Sequence, residues 1–188
     1  MKKKGQLYKL AAPLASIAVG LGLLAYSASP KKGPTMDKTP ATPKGGTVKL
    51  NGFSYSSDGT RADLPWLPDR SMTDPELIEK VDNILTELRG QGFSPMVYEL
   101  QRTAARGAWL QDTGKSKLGS RSLHVVGGDS GRNLSRAADI IDAKTHWEDL
   151  RFFDALAAAA KKEGLVSGWT WKTFKDGAHV ELMQIERT

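Results

Sequence analysis

Residues 73–100, TDPELIEKVDNILTELRGQGFSPMVYEL, read as a helix followed by a strand, and the rest of the domain works outward from that pair. Thr73, Asp74, Pro75 and Glu76 form a capping box, with proline early in the first turn where its missing N–H costs nothing. Leu77, Ile78, Val81, Ile84, Leu85 and Leu88 then recur at helical spacing, and Gly90 marks a stop. The strand is expected over Met96 to Leu100 and a second helix from Thr103, fading by Gly114. Further on, Ala137 to Ile141 reads as a short buried strand and Trp147 to Lys162 as a third helix ended by Gly164. Two final strands are expected, Trp169 to Phe174 and His179 to Ile185. Upstream, Thr47 to Leu50 reads as a short strand before turn-rich sequence containing Pro65-Trp66-Leu67-Pro68. Helices mixed with short strands and tight returns define an α+β fold, a small antiparallel sheet with flanking helices.

The 188 residues have room for one domain of about 130–140 residues and a tail. Cysteine is absent, which excludes disulfides, thiolate metal sites and cysteine nucleophiles; any zinc must use His and Asp or Glu. The net charge of +6 is unevenly placed. Residues 1–50 hold nine lysines and one aspartate, whereas residues 51–188 hold 18 basic and 20 acidic side chains. The folded part has no basic surplus for holding phosphates, so no nucleic-acid partner is expected. Lys2, Lys3 and Lys4 precede the uncharged run Leu10 to Pro30, with small residues at Ala25-Tyr26-Ser27-Ala28. That layout reads as a signal peptide or membrane anchor over residues 1–28, placing the domain outside the cytoplasm. Residues 29–47, rich in Pro, Lys and Thr, read as an extended tether, and residues 48–188 as the catalytic domain.

Two of the three histidines sit where a metal ligand is plausible: Ser122-Leu123-His124, and Asp176-Gly177-Ala178-His179. Neutral imidazole offers a lone pair near physiological pH. Catalytic zinc takes three protein ligands and keeps a fourth position for water, whose pKa it lowers. A carboxylate three residues before His179 is placed to accept that water's proton. Spacing alone leaves the third ligand open among Asp129, Asp139 and Asp142.

The segments Ser122-Leu123-His124-Val125-Val126-Gly127, Ala137-Ala138-Asp139-Ile140 and Asp176-Gly177-Ala178-His179-Val180-Glu181 resemble the zinc peptidases of the D-Ala-D-Ala carboxypeptidase and L-alanyl-D-glutamate endopeptidase family. Those enzymes act on bacterial cell walls, and many are phage endolysins. Arg102-Thr103 after a strand, and Gly164-Leu165 ahead of the tryptophans, agree with the same pattern, which spans about residues 74–185. The resemblance implies a hedgehog/D-Ala-D-Ala peptidase-like fold and one zinc ion on His124, Asp139 and His179, with Asp176 as general base. It implies that Arg102 stabilises an oxyanion or binds a substrate carboxylate, and that Ser122 helps hold the substrate. The substrate implied is a peptidoglycan stem peptide, cleaved by a monomer. An aspartate at position 176 favours L-alanyl-D-glutamate endopeptidase over D,D-carboxypeptidase. The chain departs from the family in one respect: nine residues, Gly128 to Arg136, separate Gly127 from Ala137 where the family has one. A different class of function, a wall-binding module of the same fold without catalysis, is the alternative.

Of the remaining residues, His146 reads as a surface or helix-start histidine, and Glu181 shares a strand face with His179, where it can orient that ring. Trp169 and Trp171 are candidates for either groove or core. Asp129, Ser130 and Asn133 supply too few acids for a calcium loop.

Overall fold

Asp74 rather than Thr73 caps the first helix in the computed structural model, which describes residues 45–183. Its carboxylate accepts the Glu76 N–H at 3.0 Å, and Pro75 opens helix α1, Pro75–Gly90. With proline fixed at the first helical position, the cap must be the residue before it. Thr73 instead donates its hydroxyl to the Asp69 carbonyl, 3.3 Å away. Leu77, Val81, Ile84, Leu85 and Leu88 of α1 are buried. Gly90 stays inside the helix. The reversal comes at Gly92, whose φ of +89° is a conformation that suits glycine.

Before α1 stands a two-stranded hairpin, β1 (Thr47–Leu50) and β2 (Phe53–Ser56), joined by Asn51-Gly52 with φ of 50° and 85°. Both turn residues have positive φ, which is the geometry that favours Asn-Gly in tight hairpins. The chain then runs as a strap over residues 57–72. Gln101, fully buried, holds it through both ends of its amide: Nε2 donates to the Leu67 carbonyl at 2.7 Å and Oε1 accepts the Asp69 N–H at 3.0 Å.

The main sheet has the order β3 (Pro95–Glu99), β4 (Ala137–Asp142), β6 (His179–Leu182) and β5 (Leu165–Ser167), all antiparallel. Helix α2 covers Ala104–Asp112, and helix α3 covers Leu150–Lys162. Asp149 caps α3 by accepting the Arg151 N–H at 3.0 Å, so that helix starts at Leu150 and not at Trp147 as its sequence indicated. Residues Trp169 to Phe174 are not a strand. Ser167 accepts the Trp169 N–H at 3.2 Å and starts a 3-10 turn, Gly168–Thr170, so the extended chain ends one residue earlier.

One face of the sheet presents Ala138, Ile140, Val180 and Leu182 to Phe152, Leu156, Ala159 and Ala160 of α3 and to the apolar stripe of α1. Fully burying a Leu, Ile or Phe stabilises by about 1.5–3 kcal/mol each, so this layer holds the domain together. The opposite face is left for polar residues. No helix among the described residues is long and apolar enough to cross a membrane. The export segment expected at 1–28, and residues 29–44 of the tether, lie outside the described residues, as does the end of the last expected strand beyond Met183.

Candidate metal centre

Strand register builds the site. Asp139 lies opposite His179 across β4 and β6, and opposite Glu99 across β4 and β3, so three polar side chains form one row over the sheet. Their sequence neighbours Ala138, Ile140 and Val180 point the other way, into the core. A register shift between Val97 and Glu99 marks a bulge beside the site, a common device for re-aiming a side chain.

His124 comes from a loop pinned at several points. The Arg102 N–H donates to the His124 carbonyl at 2.8 Å, the Val126 N–H to the Arg102 carbonyl at 3.0 Å, and the Arg136 N–H to the Leu123 carbonyl at 2.9 Å. The nine-residue loop Gly128 to Arg136 does not dislodge this arrangement. It closes on itself through the Gly127 N–H and the Arg132 carbonyl at 2.7 Å, and Arg132 Nη2 donates to the Ser122 carbonyl at 2.6 Å. The chain therefore re-enters at β4 with Asp139 facing the two rings.

His124 Nε2, His179 Nδ1 and Asp139 Oδ1 lie 3.1, 3.1 and 3.2 Å from one another. Neutral rings settle their tautomers by what the other nitrogen meets. His124 Nδ1 lies 2.9 Å from the Leu100 carbonyl, which only accepts, so Nδ1 carries the hydrogen. His179 Nε2 lies 2.9 Å from Glu181 Oε2, which fixes its hydrogen in the same way. With both rings neutral, two bare ring nitrogens and a carboxylate oxygen face one point. Such a triangle is suited to a cation. Tetrahedral ligands about 2.0–2.1 Å from a zinc ion stand about 3.3 Å apart, so the residues present fit the group. The three are buried, His124 completely, and form a set able to hold one metal ion.

The electrostatics agree with the geometry. Burial acts to raise the Asp139 carboxyl, but the His124 ring, the Arg102 guanidinium and the His179 hydrogen bond hold it well below the usual carboxylate range. Burial lowers the His179 imidazole, but bonds to Asp139 and Glu181, and the charges of Asp139 and Asp176, push it up to about 9. The Asp176 carboxyl is pushed above its ordinary value, first by burial and then by the Asp139 charge.

Asp176, Ser122, Arg102, Asp139 and His179 all line one cleft of about 510 Å³. Ser122 Oγ accepts the His124 N–H at 3.4 Å. The Asp176 loop is held close by Gly168, where a Cβ would stand 2.6 Å from the Asp176 carbonyl. Arg102 donates Nε to Glu99 Oε2 and Nη2 to Asp139 Oδ2, each at 2.6 Å. Trp171 lies with its ring centroid 5.1 Å from that of His179 and lines the cleft, whereas Trp169 packs on Phe153 and donates to Asp154 at 2.7 Å. Of the alternative third ligands, Asp129 lies in a short 3-10 turn, Gly128–Ser130. Asp142 accepts the Ser94, Lys144 and Thr145 N–H groups at 2.7, 2.8 and 3.1 Å, a turn residue. His146 is exposed at the turn before α3 with φ of 55°.

Burial raises the Asp142 carboxyl and those three donors lower it further than burial raises it. Its contribution to stability is therefore present above the unfolded value near 3.9 and is lost as pH falls through the lower folded value. Replacing Asp142 with alanine is expected to lower folding stability by about 1–3 kcal/mol in denaturant titration and to leave zinc affinity unchanged. A tenfold loss of zinc affinity would make Asp142 part of the metal site.

Sequence reasoning missed Glu99, Arg106, Tyr98, Trp109, Lys115, Lys117 and Phe53, all of which line the cleft. The one available signal was Glu99, an acid at the end of the apolar strand PMVYE.

No family model matches the chain. Among solved structures it is similar to the Serratia marcescens L-Ala D-Glu endopeptidase ChiX, with 25% identity and a TM-score of 0.46, covering 60% of this chain and 82% of that one. It is also similar to a mutant of the vancomycin resistance D,D-pentapeptidase VanY from a VanB-type resistance cassette, in complex with Zn(II). There the identity is 17% and the TM-score 0.43, covering 78% of this chain and 83% of that one.

Proposed function

We propose that this protein is a zinc peptidase that hydrolyses an amide bond in the stem peptides of bacterial peptidoglycan. The observation that carries the reading is the meeting of His124 Nε2, His179 Nδ1 and Asp139 Oδ1 within 3.2 Å of one another, beside the cleft that Asp139, His179 and Asp176 line. The sequence motifs around those residues, which resemble the peptidoglycan peptidases, supply the substrate class. Zinc held there acts as a Lewis acid, polarising a carbonyl and acidifying water.

The chain's own groups do the rest. Asp176 accepts the proton of the attacking water at its carboxylate and passes it to the leaving amine. Arg102 engages Glu99 and Asp139 with two of its five N–H donors and turns others to a substrate oxygen in the cleft. Ser122 lines the same wall and helps hold the peptide. Lys115 and Lys117 border the cleft, over the rings of Trp109 and Phe174 at 4.8 and 5.8 Å, and favour a substrate bearing free carboxylates, as stem peptides do. Aspartate at position 176 favours the L-alanyl-D-glutamate bond over the D-Ala-D-Ala bond. The protein works as a monomer outside the cytoplasm, carried there by residues 1–28 as signal or anchor, and takes no nucleic acid.

The test is to incubate the purified protein with bacterial cell walls and count new amino termini, before and after chelation and after zinc is restored. Termini that appear, vanish with chelator and return with zinc are the expected result. Zinc bound with no new termini would favour the wall-binding module instead.

A further inference from the structure

We infer that Glu99 is a positioning residue of the metal centre: it holds Arg102 so that Arg102 secures the outer oxygen of Asp139 and turns the inner oxygen toward the two rings. The inference rests on the metal reading proposed above. Glu99 is 1% exposed, and both its oxygens are taken by guanidinium donors. Oε2 accepts Arg102 Nε at 2.6 Å, and Oε1 accepts Arg106 Nε at 2.5 Å. Arg102 Nη2 continues the line to Asp139 Oδ2 at 2.6 Å, leaving Asp139 Oδ1 at 3.1 and 3.2 Å from the rings. At the other end Arg106 Nη1 donates to the Ala62 carbonyl in the strap, at 3.1 Å. Two carboxylates and two guanidiniums thus form a buried, neutral quartet running from the strap to the metal ligand.

The chemistry requires a carboxylate at position 99. Glutamine is close in shape but has one acceptor oxygen, and its NH2 would meet an arginine N–H. One guanidinium would then lose its partner in a site that removes charges from water, and a buried charge without a partner is strongly unfavourable. Arg102, released from Glu99, is free to engage both oxygens of Asp139, the fork geometry that arginine and carboxylate favour. That would draw Oδ1 away from the histidines.

The experiment measures zinc affinity of the full chain by competition with a chromophoric chelator, beside the cobalt(II) absorption spectrum and circular dichroism. Glu99→Gln is expected to weaken zinc binding by about 10–100-fold, the usual effect of losing a group that orients a ligand, and to change the cobalt band, while the dichroism stays folded. Arg102→Lys keeps the charge but cannot bridge the two carboxylates. It is expected to weaken zinc binding similarly, and it carries the test if Glu99→Gln does not fold. A merely structural Glu99 would lower the melting temperature and leave zinc affinity within twofold of wild type; that result overturns the inference alone. A wild-type protein that binds no zinc overturns the metal reading itself, and this inference with it.

Discussion

Replacing His124 with alanine is expected to weaken zinc binding by about 10²–10³-fold and to remove hydrolysis of wall peptides at ordinary zinc concentrations. Four-ligand zinc sites bind with about 10–16 kcal/mol, so one ligand is worth roughly 3–4 kcal/mol, and each 1.4 kcal/mol is tenfold. The fold should survive the change. Leu100, whose carbonyl faces His124 Nδ1, also accepts Ser135 Oγ at 2.6 Å and is not left without a partner. The loop stays tied through the His124 backbone, whose carbonyl accepts the Arg102 N–H at 2.8 Å. Isothermal titration with zinc, with circular dichroism as the control for folding, checks both parts. Wild-type affinity in the variant would remove His124 from the ligand set.

The second large effect belongs to Asp176. Asp176→Ala is expected to slow hydrolysis by about 10²–10⁴-fold while zinc affinity stays within a few-fold of wild type. Asp176 borders the cleft but makes none of the hydrogen bonds that orient the three ligand atoms; those come from Leu100, Glu181 and Arg102. A base must be ionised to act, so the wild-type rate falls as pH drops and Asp176 gains its proton. In the metal-free protein burial and the Asp139 charge raise that carboxyl, and a bound cation acts against that rise. The variant should lack that limb. Steady-state rates measured across pH on a soluble wall peptide separate this from a loss of metal, which would move zinc affinity as well.

Local chemistry made most of the elements legible. The stripe from Leu77 to Leu88 predicts α1, and the structure buries five of its residues. The strands holding Asp139 and His179 were both expected from the sequence, and the register pairs the two residues on the face away from the core. The shortfalls have physical causes. Trp169 to Phe174 is rich in β-favouring aromatics, yet the Ser167 side chain caps a turn there and tertiary contact at Gly168 overrides propensity. Strand β2 went unread although Asn51-Gly52 marks its hairpin turn.

At the site, His124, Asp139 and His179 come together as a group that could hold a metal ion, and the loop from Gly128 to Arg136 closes on itself before β4. The residues around them were not legible. Arg106 reaches the Ala62 carbonyl across 44 positions in the chain, which no local pattern reports, and Glu99 meets Arg102 and Arg106 only through the turn from β3 into α2. The same holds for the cleft walls, which combine the hairpin, the strap and the loop after α2.

The most direct test is mass spectrometry of fragments released from purified cell walls by the wild type and by Asp176→Ala. The wild type should release stem-peptide fragments each carrying one added water and a new amino terminus at a single type of amide bond, and the variant should release almost none. Equal release by the two proteins, or fragments cut only in the glycan, would contradict the account.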